Sequence, residues 1–188
     1  MKLRDAIEDR ADVKRFDLKK PDWRKVIRAI DAARFAPCAG NHFSTRFILT
    51  EDEDVISKLS GSCQQSFVGK SKCAVVVVSD DKGLVRSYGE RGERYCKQQA
   101  GAAIQNFLLA LGDEKLVTSW VWYFDEVQVR RVLDIPDGVN IEGIFPIGRP
   151  TKIRAKEKRD VKLENVLFFG KYGKKKMSRE VIVGRGAI

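Results

Sequence analysis

The feature of this sequence that most constrains its fold is an apolar run in the middle of the chain, CAVVVVS at residues 73–79. Valine favours extended backbone, and successive side chains of a strand point to opposite faces of a sheet. The residues on both alternating faces of this run are apolar. The run therefore predicts a strand that is buried on both sides.

Helical and extended patterns flank this strand in irregular order. An amphipathic helix is predicted over roughly residues 22–35, ending before Ala36-Pro37, and a central helix between Arg94 and Leu111. Further predictions are strands at 45–50 and 143–148, a short aromatic strand or turn at 117–124, and a helix that Asp125 caps and that runs through Leu133. No strand-helix unit repeats at constant length, and no GxGxxG motif follows a strand. This order favours an α+β sandwich over a doubly wound fold.

The chain length and the distribution of charge limit the organisation of the protein. With 188 residues, the chain has the usual size of one domain, and we predict a single domain over residues 1–188. Residues 1–148 contain 23 basic and 22 acidic residues, whereas residues 149–188 contain 13 basic and 4 acidic residues. The excess positive charge therefore lies almost entirely in the last forty residues. Such a segment is most commonly solvated surface, and it can also bind phosphorylated cofactors or other polyanions.

Apolar runs and cysteine spacing exclude several classes of protein. No run approaches the roughly 20 apolar residues of a membrane helix, and the first ten residues lack a signal-peptide core, so we expect a cytoplasmic protein. The cysteines at 38, 63, 73 and 96 form no CxxC pair, and His42 is the only histidine. Neither a zinc site nor a redox dithiol is predicted, and the cysteines are expected to be reduced and mostly buried.

Three segments carry residue types that suit a binding site. The segment RADVKRF at 10–16 places three cations and an acid after a short N-terminal helix, which fits a phosphate or polyol clamp or a solvated basic turn. The segment APCAGN at 36–41 has small residues that expose backbone to a close partner, or it simply ends the preceding helix. Residues 98–136 run from a helix with paired glutamines through the aromatic turn WVWYFD to a capped helix.

These three segments, in this order and with this spacing, resemble the nitroreductase family of FMN-dependent oxidoreductases. That family typically has an Arg-x-Ser-x-Lys/Arg-x-Phe block, then Ala-Pro-Ser-x-x-Asn, and later a Gln-containing helix that leads to a turn ending in Phe-Asp. The motifs YGERG at 88–92, IFPIG at 144–148 and FFGKYGKK at 168–175 extend the resemblance over residues 5–175. The resemblance implies a nitroreductase-like three-layer sandwich, in which helices flank a mostly antiparallel central sheet, and a homodimer.

The resemblance assigns the phosphate side of an FMN site to two parts of the chain. It implies that Arg10, Asp12 and Lys14 face the phosphate, the ribityl chain and the pyrimidine edge of FMN. Asp12 departs from the serine that is usual in the family, and an acid beside a phosphate is repulsive unless it caps backbone amides or receives ribityl hydroxyls. Lys171 takes the place of a late phosphate-binding cation, whereas the lysines at 174–176 are expected to be a solvated run.

A second set of residues is expected at the subunit interface, because the flavin of this family lies between two subunits. The resemblance implies that Pro37, Cys38, Ala39 and Asn41 reach the FMN of the other subunit, and that Gln99 meets the flavin from the central helix. The Gln-Pro-Trp that often follows the Asn is replaced here by Phe-Ser-Thr at 43–45, which changes the expected contacts on the substrate side.

The aromatic turn is expected to lie along the isoalloxazine ring. The resemblance places Trp120, Val121, Trp122 and Tyr123 there, with the backbone amide of Trp122 directed at flavin N5. The alternative is that Trp120, Trp122 and Phe124 alternate into the core of a strand. Residues 64 and 65, both glutamine, precede the buried strand where some relatives contact the pyrimidine ring, and we do not count them as site residues.

The function that the resemblance implies is ping-pong hydride transfer from NAD(P)H through flavin N5 to a small flat acceptor such as a nitroaromatic or a quinone. No catalytic side chain and no metal are required, because the flavin supplies the chemistry. Two alternatives stay open. One is an FMN-binding protein without catalysis, its acceptor site blocked by Trp122 and Tyr123. The other is a basic nucleic-acid-binding module that uses the last forty residues and the aromatic cluster as a stacking platform.

The C-terminal extension, residues 176–188, contains the β-favouring triplet VIV at 181–183. A solvated tail would not normally carry such a triplet. We expect this extension to contact the partner subunit.

Overall fold

The computed structural model describes residues 2–151 and 161–177 of the chain. The helices in these ranges are α1 (Leu3–Asp9), α2 (Trp23–Ala33), α3 (Glu53–Cys63), α4 (Lys82–Tyr88), α5 (Arg91–Asp113), α6 (Glu126–Leu133) and α7 (Leu163–Val166). The strands are β1 (Thr45–Thr50), β2 (Cys73–Ser79), β3 (Val117–Thr118) and β4 (Asn140–Gly148). The chain divides into two compact units, Met1–Lys156 and Glu157–Ile188, and α7 belongs to the second.

The four strands form one antiparallel sheet in the order β1-β2-β4-β3. In the register of the central pair, Val75 lies opposite Phe145, and the pairing shifts between Val77 and Val78. The short strand β3 extends the sheet by pairing Val117 with Gly148. The sheet confirms the predicted α+β class with antiparallel pairing.

Strand β2 is buried along its whole length, as its sequence predicts. Val75 and Val77 pack in a core with α2 and α5, whereas Val76 and Val78 pack on the opposite face with α3 and α6. On the first face the fully buried Phe107 contacts Phe47 and Phe145, with ring centroids 5.7 and 5.8 Å apart. The first unit is therefore a sheet between two helical layers, the predicted three-layer arrangement.

The predicted strands 45–50 and 73–79 have the observed bounds, but other elements differ. Helix α5 starts at Arg91, about a turn before its apolar periodicity begins. The periodicity does not show this first turn because the turn is polar and packs on α4 through Gly92. Helix α4 was not predicted, since Leu84 is its one buried residue. The aromatic segment 117–124 is a strand only at 117–118, followed by a single bridge between Val121 and Ile144.

Helix α3 begins at a side-chain cap. The Asp52 carboxylate accepts hydrogen bonds from the backbone N–H groups of Asp54 at 2.8 Å and Val55 at 3.3 Å. We expect Asp52→Ala to lower the free energy of unfolding by about 1 kcal/mol, because these two amides lose their acceptor. Asp52→Asn keeps an acceptor and should restore most of the loss. Equal urea-unfolding curves for Asp52→Ala and the parent protein would contradict the role of this cap.

The thiols are free, and three of them lie in the interior, as predicted: Cys63, Cys73 and Cys96 are buried, and Cys38 is half-buried. Burial raises the pKa of the Cys73 thiol to about 12, and it also raises the pKa of Cys63. Both are therefore protonated at neutral pH. In the described part of the chain, no helix combines the length and the apolar character that crossing a membrane requires.

In the second unit, residues 161–177 contain α7 and the predicted basic turn. The rings of Phe168 and Tyr172 lie 4.8 Å apart, and the Lys175 ammonium lies 4.5 Å from the centroid of Phe168. The backbone N–H of Lys171 donates to the carbonyl of Phe169 at 2.8 Å. The VIV triplet of the predicted C-terminal extension lies outside the described residues.

Candidate functional site

One candidate site is a cavity of about 590 Å³ at the end of β3. We call it the aromatic cavity. It brings together seven of the predicted site residues from two distant parts of the sequence: Arg10, Asp12, Lys14, Trp120, Val121, Trp122 and Tyr123. Its volume lies within the range of about 300–1,000 Å³ that is usual for small-molecule sites.

Backbone hydrogen bonds hold the N-terminal segment against the sheet. The N–H of Val13 donates to the carbonyl of Thr118 at 3.0 Å, and the N–H of Asp17 donates to the carbonyl of Arg149 at 3.0 Å. Between these bonds, Phe16 packs on Gly148, where a Cβ would lie 2.6 Å from the Cβ of Phe16. Arg10, Asp12 and Lys14 are thereby fixed beside the aromatic turn.

The cavity contains two cations that no carboxylate neutralises. Arg10 is half-buried and Lys14 is exposed, and the Lys14 ammonium lies 5.3 Å from the centroid of the Phe67 ring. Among the described residues, no carboxylate oxygen lies within 4 Å of either cation, Asp12 included. The two side chains are therefore available to an anion, and a guanidinium beside an ammonium suits a phosphate group.

The aromatic turn exposes the rings of Trp122 and Tyr123, while Trp120 packs against the core. Val121 exchanges two backbone hydrogen bonds with Ile144, at 2.9 and 3.2 Å, and is buried. The Trp120 indole donates to the carbonyl of Glu142 at 3.1 Å and occupies the space that a Cβ on Gly143 would fill. Trp122 stacks on Trp120 with ring centroids 3.9 Å apart.

The core-packing alternative holds for Trp120 and Phe124, which are half-buried and pack against the two cores, but not for Trp122. Trp122 is 69% exposed and Tyr123 is 74% exposed, although both line the aromatic cavity. The backbone N–H of Trp122 has no hydrogen-bond acceptor within the described ranges. The sheet pairing stops at Val121, and Trp122 and Tyr123 after it are exposed, whereas Phe124 returns to the core beside α3 and α6. The cavity therefore has a stacking surface and a free backbone donor side by side.

Most of the residues expected at the subunit interface line a different groove. It has a volume of about 220 Å³ and is lined by Pro37, Cys38, Ala39, Tyr95, Gln98, Gln99 and Ala102. It shares no lining residue with the aromatic cavity. Within one chain the two predicted sets thus lie apart, whereas Asn41 is exposed and lines neither space.

Gln99 is turned toward its own chain. Its side-chain oxygen accepts a hydrogen bond from the Ala39 N–H at 3.2 Å, and its amide nitrogen donates to the Ser44 hydroxyl. The side chain is buried, so both of its polar groups are engaged inside the protein. Gln99 thus holds the 37–41 segment of its own chain in place. Its exposed neighbour Gln98 lines the groove.

Sequence reasoning missed several residues of the aromatic cavity. Gln105, Leu108, Thr118 and Ser119 line it without having been predicted, and Gln65, which we noted but did not count as a site residue, lines it too. One signal was available, because Gln98 and Gln105 are seven residues apart and therefore lie on one face of α5. Thr118 gave no such signal, since its hydroxyl donates to the carbonyl of Pro146 at 2.8 Å and supports the fold.

Comparisons with known proteins agree with this geometry. The Nitroreductase family profile matches residues 7–149. The chain is 24% identical over 174 residues to a protein of Thermotoga neapolitana named iodotyrosine deiodinase, covering 84% of this chain and 94% of that protein. It is 23% identical over 156 residues to a protein of Methanothermobacter thermautotrophicus named as an NADH dehydrogenase/NAD(P)H nitroreductase, covering 81% of this chain and 79% of that protein.

A solved structure shows the same fold. It is an oxidized iodotyrosine deiodinase bound to FMN and 3-iodo-L-tyrosine, which is 20% identical to this chain and superposes with a TM-score of 0.76. The superposition covers 86% of this chain and 97% of the other. The profile match extends over the whole sheet, the aromatic cavity and the groove at Pro37, Cys38 and Ala39. This chain therefore belongs to the nitroreductase family.

Proposed function

We propose that this protein is an FMN-dependent oxidoreductase that passes hydride from NAD(P)H to a small flat acceptor such as a nitroaromatic or a quinone. The observation that carries the proposal is the aromatic cavity, in which two unpaired cations lie beside an aromatic turn with a free backbone donor. Bound FMN would accept hydride from NAD(P)H at N5 and pass it on to the acceptor. The protein itself would bind and orient the cofactor and select the acceptor.

The residues of the aromatic cavity fit the two ends of FMN. Arg10 and Lys14 offer charged donors with no carboxylate partner among the described residues, as a phosphate or an electron-rich pyrimidine edge requires. Trp122 offers its free N–H as a donor toward the flavin ring, and the aromatic side chains offer flat apolar surface. Because a cation near the pyrimidine edge favours added negative charge, Lys14 would stabilise the reduced cofactor.

The 37–41 segment favours a homodimer with shared sites. Cys38 and Ala39 line a groove on the same chain that is separate from the aromatic cavity, so they would complete the cavity of a second copy. Gln99 would serve this arrangement by fixing the backbone at Ala39. We further propose that Asn41 and Lys171 complete the FMN contacts and that the protein works in the cytoplasm.

The absorption spectrum of the purified protein tests the proposal. Flavin bands that bleach when NADH or NADPH is added, and return when a quinone or nitroaromatic follows, are the expected result. Flavin bands that neither nucleotide bleaches would favour the non-catalytic FMN-binding alternative. A colourless protein that FMN does not bind, and whose affinity for nucleic acid falls steeply with salt, would support the nucleic-acid alternative.

The acceptor preference is expected to depend on Tyr123. Tyr123 lines the aromatic cavity next to Trp122, so its ring occupies volume that a large acceptor would need. We expect Tyr123→Gly to raise kcat/KM about tenfold for a bulky acceptor, and much less for a small quinone, because the variant opens space that only the bulky acceptor needs. Steady-state kinetics with a matched pair of acceptors would measure this.

Two controls accompany the Tyr123 experiment. Tyr123→Phe keeps the ring and should retain the selectivity of the parent protein, and the rate of flavin reduction by NAD(P)H should change little in both variants. Halogenated tyrosines are a useful third acceptor, given the relative named iodotyrosine deiodinase. Equal changes for bulky and small acceptors would show that Tyr123 does not restrict the site.

A further inference from the structure

A second cavity of the first unit is lined mostly by basic residues. It has a volume of about 370 Å³. It shares no lining residue with the aromatic cavity or with the groove that Pro37, Cys38 and Ala39 line. We call it the basic cavity. Three separate segments supply its lining: Lys20, Asp22 and Lys25 at the start of α2, Lys115 and Leu116 before β3, and Arg149 and Pro150 after β4.

The walls of the basic cavity are fixed by the fold. Lys115 adopts a left-handed backbone conformation with φ of 61°, and its N–H donates to the carbonyl of Gly112 at 3.0 Å. Leu116 donates to the carbonyl of Leu111 at 2.9 Å, and the Arg149 carbonyl accepts from Asp17 at 3.0 Å. The basic side chains therefore project from backbone that is already ordered, which lowers the entropic cost of binding.

Part of the positive charge is left without a partner. Lys20 lies 3.2 Å from the Glu51 carboxylate, and Lys25 donates to the backbone carbonyl of Glu114 at 2.8 Å. Lys115 and Arg149 have no carboxylate within 4 Å in the parts of the chain that are described. Two cations of the cavity thus remain open to a ligand.

Two further carboxylates near the cavity, Glu114 and Asp22, have partners of their own. Glu114 lies 3.9 Å from the Lys25 ammonium but receives two shorter bonds from Arg28, at 2.6 and 2.8 Å. Asp22 caps α2 by accepting from the Arg24 N–H at 3.0 Å, and the Arg24 guanidinium lies 3.7 Å from it. Neither acid neutralises Lys115 or Arg149, so the cavity keeps an excess of positive charge.

We propose that the basic cavity binds the polyphosphate group of a small ligand, at a site separate from the flavin site. Lys115 and Arg149 line one cavity without a carboxylate partner in the described chain, so they repel one another, and an anion with several charges removes that repulsion. The forked donors of Arg149 and the ammonium of Lys115 match the oxygen atoms of a phosphate. A pyrophosphate group carries enough charge to engage both, together with Lys20 and Lys25.

Calorimetric titration with inorganic pyrophosphate tests the proposal. The purified protein is used with excess FMN, so that the flavin phosphate cannot be replaced, and ionic strength is held constant. We expect saturable binding of one pyrophosphate per chain. The double variant Lys115→Gln/Arg149→Gln should bind at least tenfold more weakly, because two charge-assisted contacts are lost.

A matched variant separates a site from general attraction to a basic protein. Lys58→Gln/Arg131→Gln removes the same charge from another surface cavity, which these two residues line with Gly61, Gln128 and Val132. Its affinity for pyrophosphate should stay within twofold of the parent. Absence of saturable binding, or an equal loss in both double variants, would overturn the proposal. The single variants Lys115→Gln and Arg149→Gln should each show part of the loss, which guards against a folding defect in the double variant.

Discussion

Replacing Arg10 by alanine is expected to weaken FMN binding by about 1.5–3 kcal/mol, which is a rise of about 10- to 150-fold in Kd. Arg10 is half-buried in the aromatic cavity and has no carboxylate partner among the described residues. A charge-assisted bond from such a guanidinium to phosphate is not shared with an internal acid, so its loss is felt in full. Fluorescence titration of apoprotein with FMN measures the change.

Arg15 provides the matched control for this experiment. It lies in the same basic segment and is exposed, but it does not line the aromatic cavity. Arg15→Ala removes the same charge, so it reports the general effect of net charge on an anionic ligand, which we expect to be below twofold. Equal losses for Arg10→Ala and Arg15→Ala would place the phosphate elsewhere, and weaker binding of riboflavin in Arg10→Ala would argue against a phosphate contact.

The sequence carries the information for the sheet more fully than for the site. Strand β2 could be predicted with its bounds because each of its apolar positions faces one of two helical layers. The polar first turn of α5 could not be predicted. Gly92 and its neighbours pack against α4 without apolar side chains, so the sequence shows no helical spacing of apolar residues there.

The site shows the same division. The resemblance to the family singled out the cations at Arg10 and Lys14, whose segment alone also fits a solvated turn, and the fold brings them to one cavity. The orientation of Gln99 could not be predicted, since it depends on where Ala39 and Ser44 lie in space. The outward direction of Trp122 likewise follows from the end of sheet pairing at Val121, which no local pattern records.

Replacing Gly92 by alanine is expected to lower the free energy of unfolding by about 2–3 kcal/mol, the largest effect on stability that we predict. Gly92 lies in the first turn of α5, and a Cβ there would overlap with main-chain atoms of Leu84 and Val85 in α4. Main-chain atoms cannot rotate away as a side chain can, so the two helices must separate. The gain in helix propensity, up to about 1 kcal/mol, offsets only part of this cost.

Gly61 offers the matched control, because it is also a helical glycine, in α3, but nothing lies within 4 Å of the position of a Cβ. Gly61→Ala should therefore leave stability unchanged or raise it by up to about 1 kcal/mol. Both variants are compared by urea unfolding at one protein concentration and with saturating FMN, because binding and association shift the transition. Since α5 also carries Gln99 and Gln105, separation of α4 from α5 should also disturb the groove and the cavity that these residues line. A Gly92→Ala protein as stable as the parent would mean that α4 shifts freely, and the contact at Gly92 would then not fix the direction of α5.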